Sequence, residues 1–275
     1  MCGAQTRPKE GMRIMKNERK TTLQDIPYQV SIAMRGAGCM QVAAAIEGYL
    51  PGGQACRGGE ETWAIDDCLG RMWVAIGGTD DIDAMFEERT DRWVLISPLL
   101  AYEDMDDLLR LMGEVCSATG VEGELSCGIQ VFADLGEANP RAEANLHDLV
   151  LGKQALLTKV LKTDIEAFRP QVEGRARRIA SGKEGACEVF YCDAASSLDP
   201  DEARTTLQFA LAVAAQAVNQ RRVNAKVVCP ENERYAFRCW MLKMGLVGDE
   251  YKPMRGRFLK RLPGDGATKA LRSDG

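Results

Sequence analysis

A chain of 275 residues can form one large domain or two small ones, and 27% charged with 45% apolar residues is the make-up of an ordinary globular protein. A formal net charge of −5 gives no broad case for nucleic-acid binding. No apolar run reaches the roughly 18–20 residues that cross a bilayer, so no membrane association is expected.

Residues 1–25 read as a flexible basic tail. Within the first twenty, Arg7, Lys9, Arg13, Lys16, Arg19 and Lys20 are set against only Glu10 and Glu18. The tail lacks the apolar stretch of a secretion signal. The ten cysteines are therefore expected as reduced, mostly buried thiols of a cytoplasmic protein. The closest pair, Cys187 and Cys192, has no zinc spacing, and His147 is the only histidine, so no metal site is expected from these residues.

YQVSIAM (28–34) alternates and is β-branched, which predicts a strand. Met40, Ala44, Ile46 and Leu50 suit a short helix stopped by Pro51-Gly52-Gly53. TWAIDDCLGRMWVAI (62–76) reads as a hairpin: Trp63 and Ile65 precede a polar turn ending at Gly70, and Trp73 and Ala75 follow it. RWVLISPLL (92–100) is a further strand, ended or confined to an edge by Pro98. A helical period then runs through Met105, Leu108, Leu109, Leu111, Met112 and Val115 and stops near Gly120. SCGIQVFADL (126–135) reads as a strand with Gln130, Phe132 and Asp134 on one side. Asn139-Pro140 opens a helix toward Lys162, with a break point at Gly152. Residues 163–186 are basic and poorly patterned, as a loop or short helix is. CEVFYC (187–192) is another strand. Asp199 as N-cap, Pro200 and two acids start a helix that buries Leu207, Ala210, Leu211 and Ala214. A last helix spans Asn232 to a stop at Gly245. Strands and helices mix without regular βαβ alternation, which favours an α+β fold.

Common catalytic devices are missing from this pattern. One histidine and no G-x-S-x-G elbow give no case for a triad hydrolase. The glycine pairs at 52–53, 58–59 and 77–78 lack a phosphate loop's lysine and read as turns. The acidic run DDIDAMFEE (80–88) lacks calcium-loop spacing and reads as a solvated face. Asn219-Gln220-Arg221 and Asn232-Glu233-Arg234 read as clusters that cap and bridge two C-terminal helices.

Longer stretches carry a resemblance. QFALAVAAQAVNQ (208–220), NERYAFRCWMLKMGLVGDEYK (232–252) and FLKRLPGDG (258–266) resemble the end of the amidoligase family found in bacterial and mobile-element genomes. TWAIDDCLGRMW (62–73), ISPLLAYEDMDDL (96–108), LHDLV and LLTKVLKTD resemble further family segments in the same order. The resemblance covers residues 26–266 and implies one domain there, followed by a disordered tail at 267–275. It implies a glutamine-synthetase-like fold: an antiparallel sheet with helices packed on one face, a helical C-terminal part, and a concave face holding Mg²⁺ and ATP. It also implies a ligase reaction, in which ATP phosphorylates a carboxylate and an amine displaces the phosphate to form an amide or peptide bond.

That chemistry needs carboxylates for Mg²⁺ and cationic or hydrogen-bonding groups for the phosphoryl oxygens. The family pattern V-E-I-E-M places two glutamates where this chain has Ser31 and Ala33. A third glutamate is replaced by Val94. The pattern C-G-I-H-V-H-x-D becomes CGIQVFAD, so Gln130 and Phe132 stand for histidines and Asp134 alone matches. The late E-F-R aligns without gaps to Phe190, Tyr191 and Cys192; a shifted alignment keeps Glu188 as the glutamate. Neither alkyl, phenyl nor amide groups replace a charged ligand. The resemblance with these losses implies a pseudoenzyme: no cofactor, a protein or peptide partner, no nucleic acid and no membrane. The alternative is a working ATP- and Mg²⁺-dependent ligase rebuilt around Glu188 and Asp134. Arg238, beside Trp240, is a candidate for binding a substrate carboxylate.

Overall fold

Alternating apolar residues draw seven strands into one antiparallel sheet, and helices cover the face to which the larger apolar set points. The computed structural model describes residues 19–35, 38–58, 62–77, 92–119, 127–136, 139–161, 186–194, 199–224, 226 and 230–267. The strands are β1 (Tyr28–Arg35), β2 (Gln54–Arg57), β3 (Thr62–Asp66), β4 (Met72–Gly77), β5 (Arg92–Ile96), β6 (Cys127–Asp134) and β7 (Ala186–Ala194), in the sheet order β2-β3-β4-β5-β1-β6-β7. The helices are α1 (Cys39–Tyr49), α2 (Met105–Ala118), α3 (Pro140–Gly152), α4 (Gln154–Leu161), α5 (Pro200–Asn219), α6 (Glu233–Lys243) and α7 (Lys252–Lys260). The acidic run at 80–88 and residues 268–275 lie outside the described residues, as does the loop or short helix expected at 163–186 except for Ala186, which opens β7.

The hairpin forms as its turn chemistry requires. Gly70 takes φ +70°, and Ile65 faces Trp73 while Trp63 faces Ala75 across β3 and β4. α2 buries Met105, Leu108, Leu109, Leu111, Met112 and Val115, the six residues its period marks. Asn139, Asp199 and Asn232 each cap a helix, accepting from the amides of Ala142, Asp201 and Tyr235 at 3.0–3.1 Å. α1 differs from expectation. Its inward residues are Val42, Ala43 and Ile46, whereas Met40 is 64% exposed. Met40 lies in the first turn, on the side away from the sheet.

The N-terminal boundary also moves. Residues 19–25 are not a free tail, because Leu23 and Ile26 enter the core. Thr21 donates its amide to Asn219 Oδ1 at 3.0 Å, and Asn219 Nδ2 donates back to the Thr21 carbonyl at 2.6 Å. Asn219 thus ties α5 to a segment 198 positions away and does not bridge two C-terminal helices. The expected tail up to residue 18 lies outside the described residues.

Two contacts fix the sheet's geometry. Arg71 donates from Nε to Asp67 (2.8 Å) and from Nη1 to Asp104 (3.0 Å), joining the β3–β4 turn to the turn before α2. Asp67 also accepts from the amides of Leu69 and Arg71, both at 2.9 Å. At the far end, the Ala55 amide of edge strand β2 points away from β3 and donates to Glu47 of α1 at 3.1 Å.

The α5–α6–α7 interface is aromatic. Phe209 lies 5.7 Å from Phe237, 5.6 Å from Trp240 and 5.0 Å from Phe258, ring centre to ring centre. Phe209→Ala should therefore cost about 3–5 kcal/mol, read as a fall in urea midpoint at unchanged slope, while Met40→Ala should stay within about 0.5 kcal/mol. A pH dependence follows from Asp67. Burial would raise its pKa, but the amides and guanidinium around it hold it below the ordinary 3.8. Its stabilisation is then complete above that ordinary value and is lost as the pH falls through the lower folded one. Asp67→Asn should lower the urea midpoint at neutral pH and flatten its decline as the pH falls below about 4.

Candidate functional site

The register assigns each strand residue to the helix-covered face or to the opposite one, and the opposite one is where the resemblance places its nucleotide and metal. Three rows cross that face. One runs Ile76, Val94, Ala33, Gly128, Asp193. The next runs Val74, Ile96, Ser31, Gln130, Tyr191. The third runs Gln29, Phe132, Glu188. Directly opposed residues in an antiparallel pair hold their Cβ atoms about 5 Å apart, so each row is a string of near neighbours. Ser31, Ala33, Val94, Gln130 and Phe132 thus share one face across β5, β1 and β6.

Two expected positions do not. Phe190 pairs with Val131 and Cys192 with Ile129, which are register positions of the helix-covered face. The cause is a bulge: the pairing jumps from Val131↔Phe190 to Phe132↔Glu188, leaving Val189 as an extra residue. The jump resets the alternation, so Glu188 and Tyr191, three apart, fall on the same face.

On β4, β5, β1 and β6 the described side chains of this face are buried or half-buried and largely apolar, whereas on β2 and β3 Gln54, Cys56 and Asp66 are exposed. Val74, Ile76 and Ile96 form a second apolar cluster with half-buried Met72 and Val94. Ser31 is 6% and Phe132 7% exposed. Besides Ser31, a buried polar residue here is Gln29, whose Nε2 donates to the Ser97 carbonyl at 2.6 Å. Ser97 Oγ accepts from the Val30 amide (2.9 Å) and donates to the Pro98 carbonyl (2.8 Å), so the Ser-Pro bend holds β1 by its side chain where Pro98 has no N–H to offer. Gln29 was not among the expected site residues; its place two positions before Ser31 on an alternating strand is the signal for it.

Asp134 spends one carboxylate oxygen on the Gly136 amide (2.9 Å), where Gly136 turns the chain at φ +90°. Arg238 lies on α6, in the helix layer and not on this face; its Nη1 donates to the Gly266 carbonyl at 3.0 Å. It is a strap for the C-terminal turn, as Arg234 is through the Leu262 carbonyl at 3.0 and 2.7 Å. His147 lies 3.5 Å from Asp148 on α3. Among the described residues, no three His, Cys, Asp or Glu side chains stand together as a metal-holding group, and no helix is long and apolar enough to cross a membrane.

Comparison with family models, with curated proteins and with solved structures finds no match to this chain. Fold and register are therefore the observations that bear on the site.

A buried hydroxyl and hydrocarbon surface offers no compensation to a charge brought in alone. Ser31→Glu should destabilise the protein by more than about 2 kcal/mol at neutral pH. Its carboxyl pKa would be raised by burial, so the penalty should shrink as the pH falls from that raised value toward the ordinary value of about 4.3. Urea midpoints at a series of pH values check both, and recovery on adding Mg²⁺ would reveal a cation site nearby.

Proposed function

We propose that this chain is an amidoligase-like scaffold that no longer performs the ligase reaction and acts as a binding or regulatory module for a protein or peptide. The supporting observation is the sharing of one face by Ser31, Ala33, Val94, Gln130 and Phe132, flanked by Val74, Ile76 and Ile96. These are the positions at which the resemblance implies charged ligands for Mg²⁺ and phosphate. Their replacements can neither offset a divalent cation nor donate a charged hydrogen bond to a phosphoryl group. No cofactor and a cytoplasmic setting belong to the same proposal.

One observation favours a second reading, an active ligase using Mg²⁺ and ATP. Glu188 falls opposite Phe132 and Asp193 opposite Gly128 in the register, which aligns two acidic positions with this face. Calorimetry with millimolar Mg²⁺-ATP separates the two. The inactive scaffold should give no binding heat and no thermal shift, whereas a ligand at a hundredfold its dissociation constant would add about 2.7 kcal/mol. A saturable micromolar site, with ATP-dependent phosphate release abolished in Glu188→Gln, would replace the first reading by the second.

A further inference from the structure

Among the described residues, a group of basic side chains lies elsewhere, where α5 ends. The two hydrogen bonds between Thr21 and Asn219 bring the segment before β1 against this helix end. Arg19 and Lys20 stand immediately before that contact, and Arg221 and Arg222 come two and three residues after it. Arg141 of α3 reaches the same place, donating to the Val218 carbonyl at 3.4 Å. One turn along α3, Asn145 donates to the carbonyls of Ala217 (3.1 Å) and Gln220 (2.7 Å) and accepts from the Val223 amide (3.1 Å). The bend after α5 is thus clamped, and Lys226 follows with its amide held by Asn224 at 3.0 Å.

These six basic side chains are exposed or, for Arg19, 86% exposed. Lys20, Arg221, Arg222 and Lys226 make no ion pair among the described residues. Asp25, an acid beside them, is occupied by Thr22 at 2.8 and 2.6 Å and stands 4.0 Å from Arg19, while Glu143 of α3 is half-buried. One or two cations would suffice to complement the carbonyls of a helix end. Six exceed that need, in a chain whose overall charge is −5.

We infer that this end of α5, with residues 19–20, 221–224, Lys226 and Arg141, is a docking surface for a short acidic polypeptide segment. Four of the six cations are arginines, whose planar forks pair carboxylates bidentately. No residue in 19–25, 141–145 or 217–226 is aromatic, so the surface lacks the stacking platform that retains single-stranded nucleic acid at about 1–3 kcal/mol per base. A short acidic segment feels only the field within a Debye length of about 8–10 Å, where the patch dominates; a long polyanion meets the net negative remainder of the protein. This surface goes beyond the proposed scaffold role and uses none of the residues on the sheet face, so either can fail without the other.

The test is a fluorescence-anisotropy titration of a labelled decaglutamate peptide with the full chain. Saturable binding should weaken about tenfold between about 50 mM and about 300 mM salt. It should disappear in R221E/R222E and weaken in Lys226→Glu, both with the parental thermal midpoint, and persist in Lys260→Glu on α7. Absence of saturation, unchanged binding in R221E/R222E, or tighter binding of a labelled oligothymidine of ten residues would overturn the proposal; the last would make nucleic acid the partner.

Discussion

A twenty-residue helix can be buried on nearly every side only if its side chains let neighbours approach closely, and α5 meets that condition. It carries alanine at 203, 210, 212, 214, 215 and 217, all within the core, and places Leu207, Phe209, Leu211 and Val213 among them with no exposure. One side lies on β6 and β7, others meet α2 and α3, and Phe209 receives Phe237, Trp240 and Phe258 from the C-terminal helices. Its polar groups are placed where they can be satisfied. Gln208 donates to the Tyr102 hydroxyl at 2.9 Å, and Gln216 accepts from the Trp240 indole at 2.8 Å. At the N-terminus Arg257 pairs with Asp199 and Asp201, and Arg261 with Glu202. Sheet, helix layer and C-terminal helices therefore share one member, and displacing it would uncover all three.

This bears on what the resemblance can carry. The motifs behind it have structural work in this molecule. Asp67, Gly70, Arg71 and Asp104 build a turn and its clamp. Asn219 holds the segment before β1, and Asn232 caps α6. Arg234 and Arg238 hold the carbonyls of the closing turn. Residues that pack and cap would be needed whether or not chemistry is performed, so their presence carries no argument for activity, which rests on the sheet face.

Local physics made much of this architecture readable in advance. Asx-Pro helix starts at 139–140 and 199–200, the six-residue stripe of α2 and the Gly70 turn depend on neighbours within a few positions, and each is found where the pattern puts it. What depends on distant partners was not readable. β2 is a four-residue strand of mixed polarity, stabilised by pairing to β3. α7 buries only Met254 and Phe258, with Leu259 packed beside them, and gains its place from aromatic packing. The inward face of α1 is chosen by the strands beneath it. For the site, alternation alone put Ser31 with Ala33 and Gln130 with Phe132, but joining those pairs across three strands required the register. The bulge at Val189 has no local marker, and it is what separates Phe190 and Cys192 from the others.

The bond from the Ala55 amide to Glu47 has a consequence for how copies of this chain meet. An open sheet ends in a strand whose outward amides can recruit another backbone, and that step is the beginning of fibre growth. At β2 one such amide already has its acceptor, supplied by a helix of the same molecule. An incoming strand would have to displace a carboxylate to add there, on an edge only four residues long. Crowded copies are thus denied an easy template at this border, and the restraint comes from a single glutamate that contributes nothing to the core.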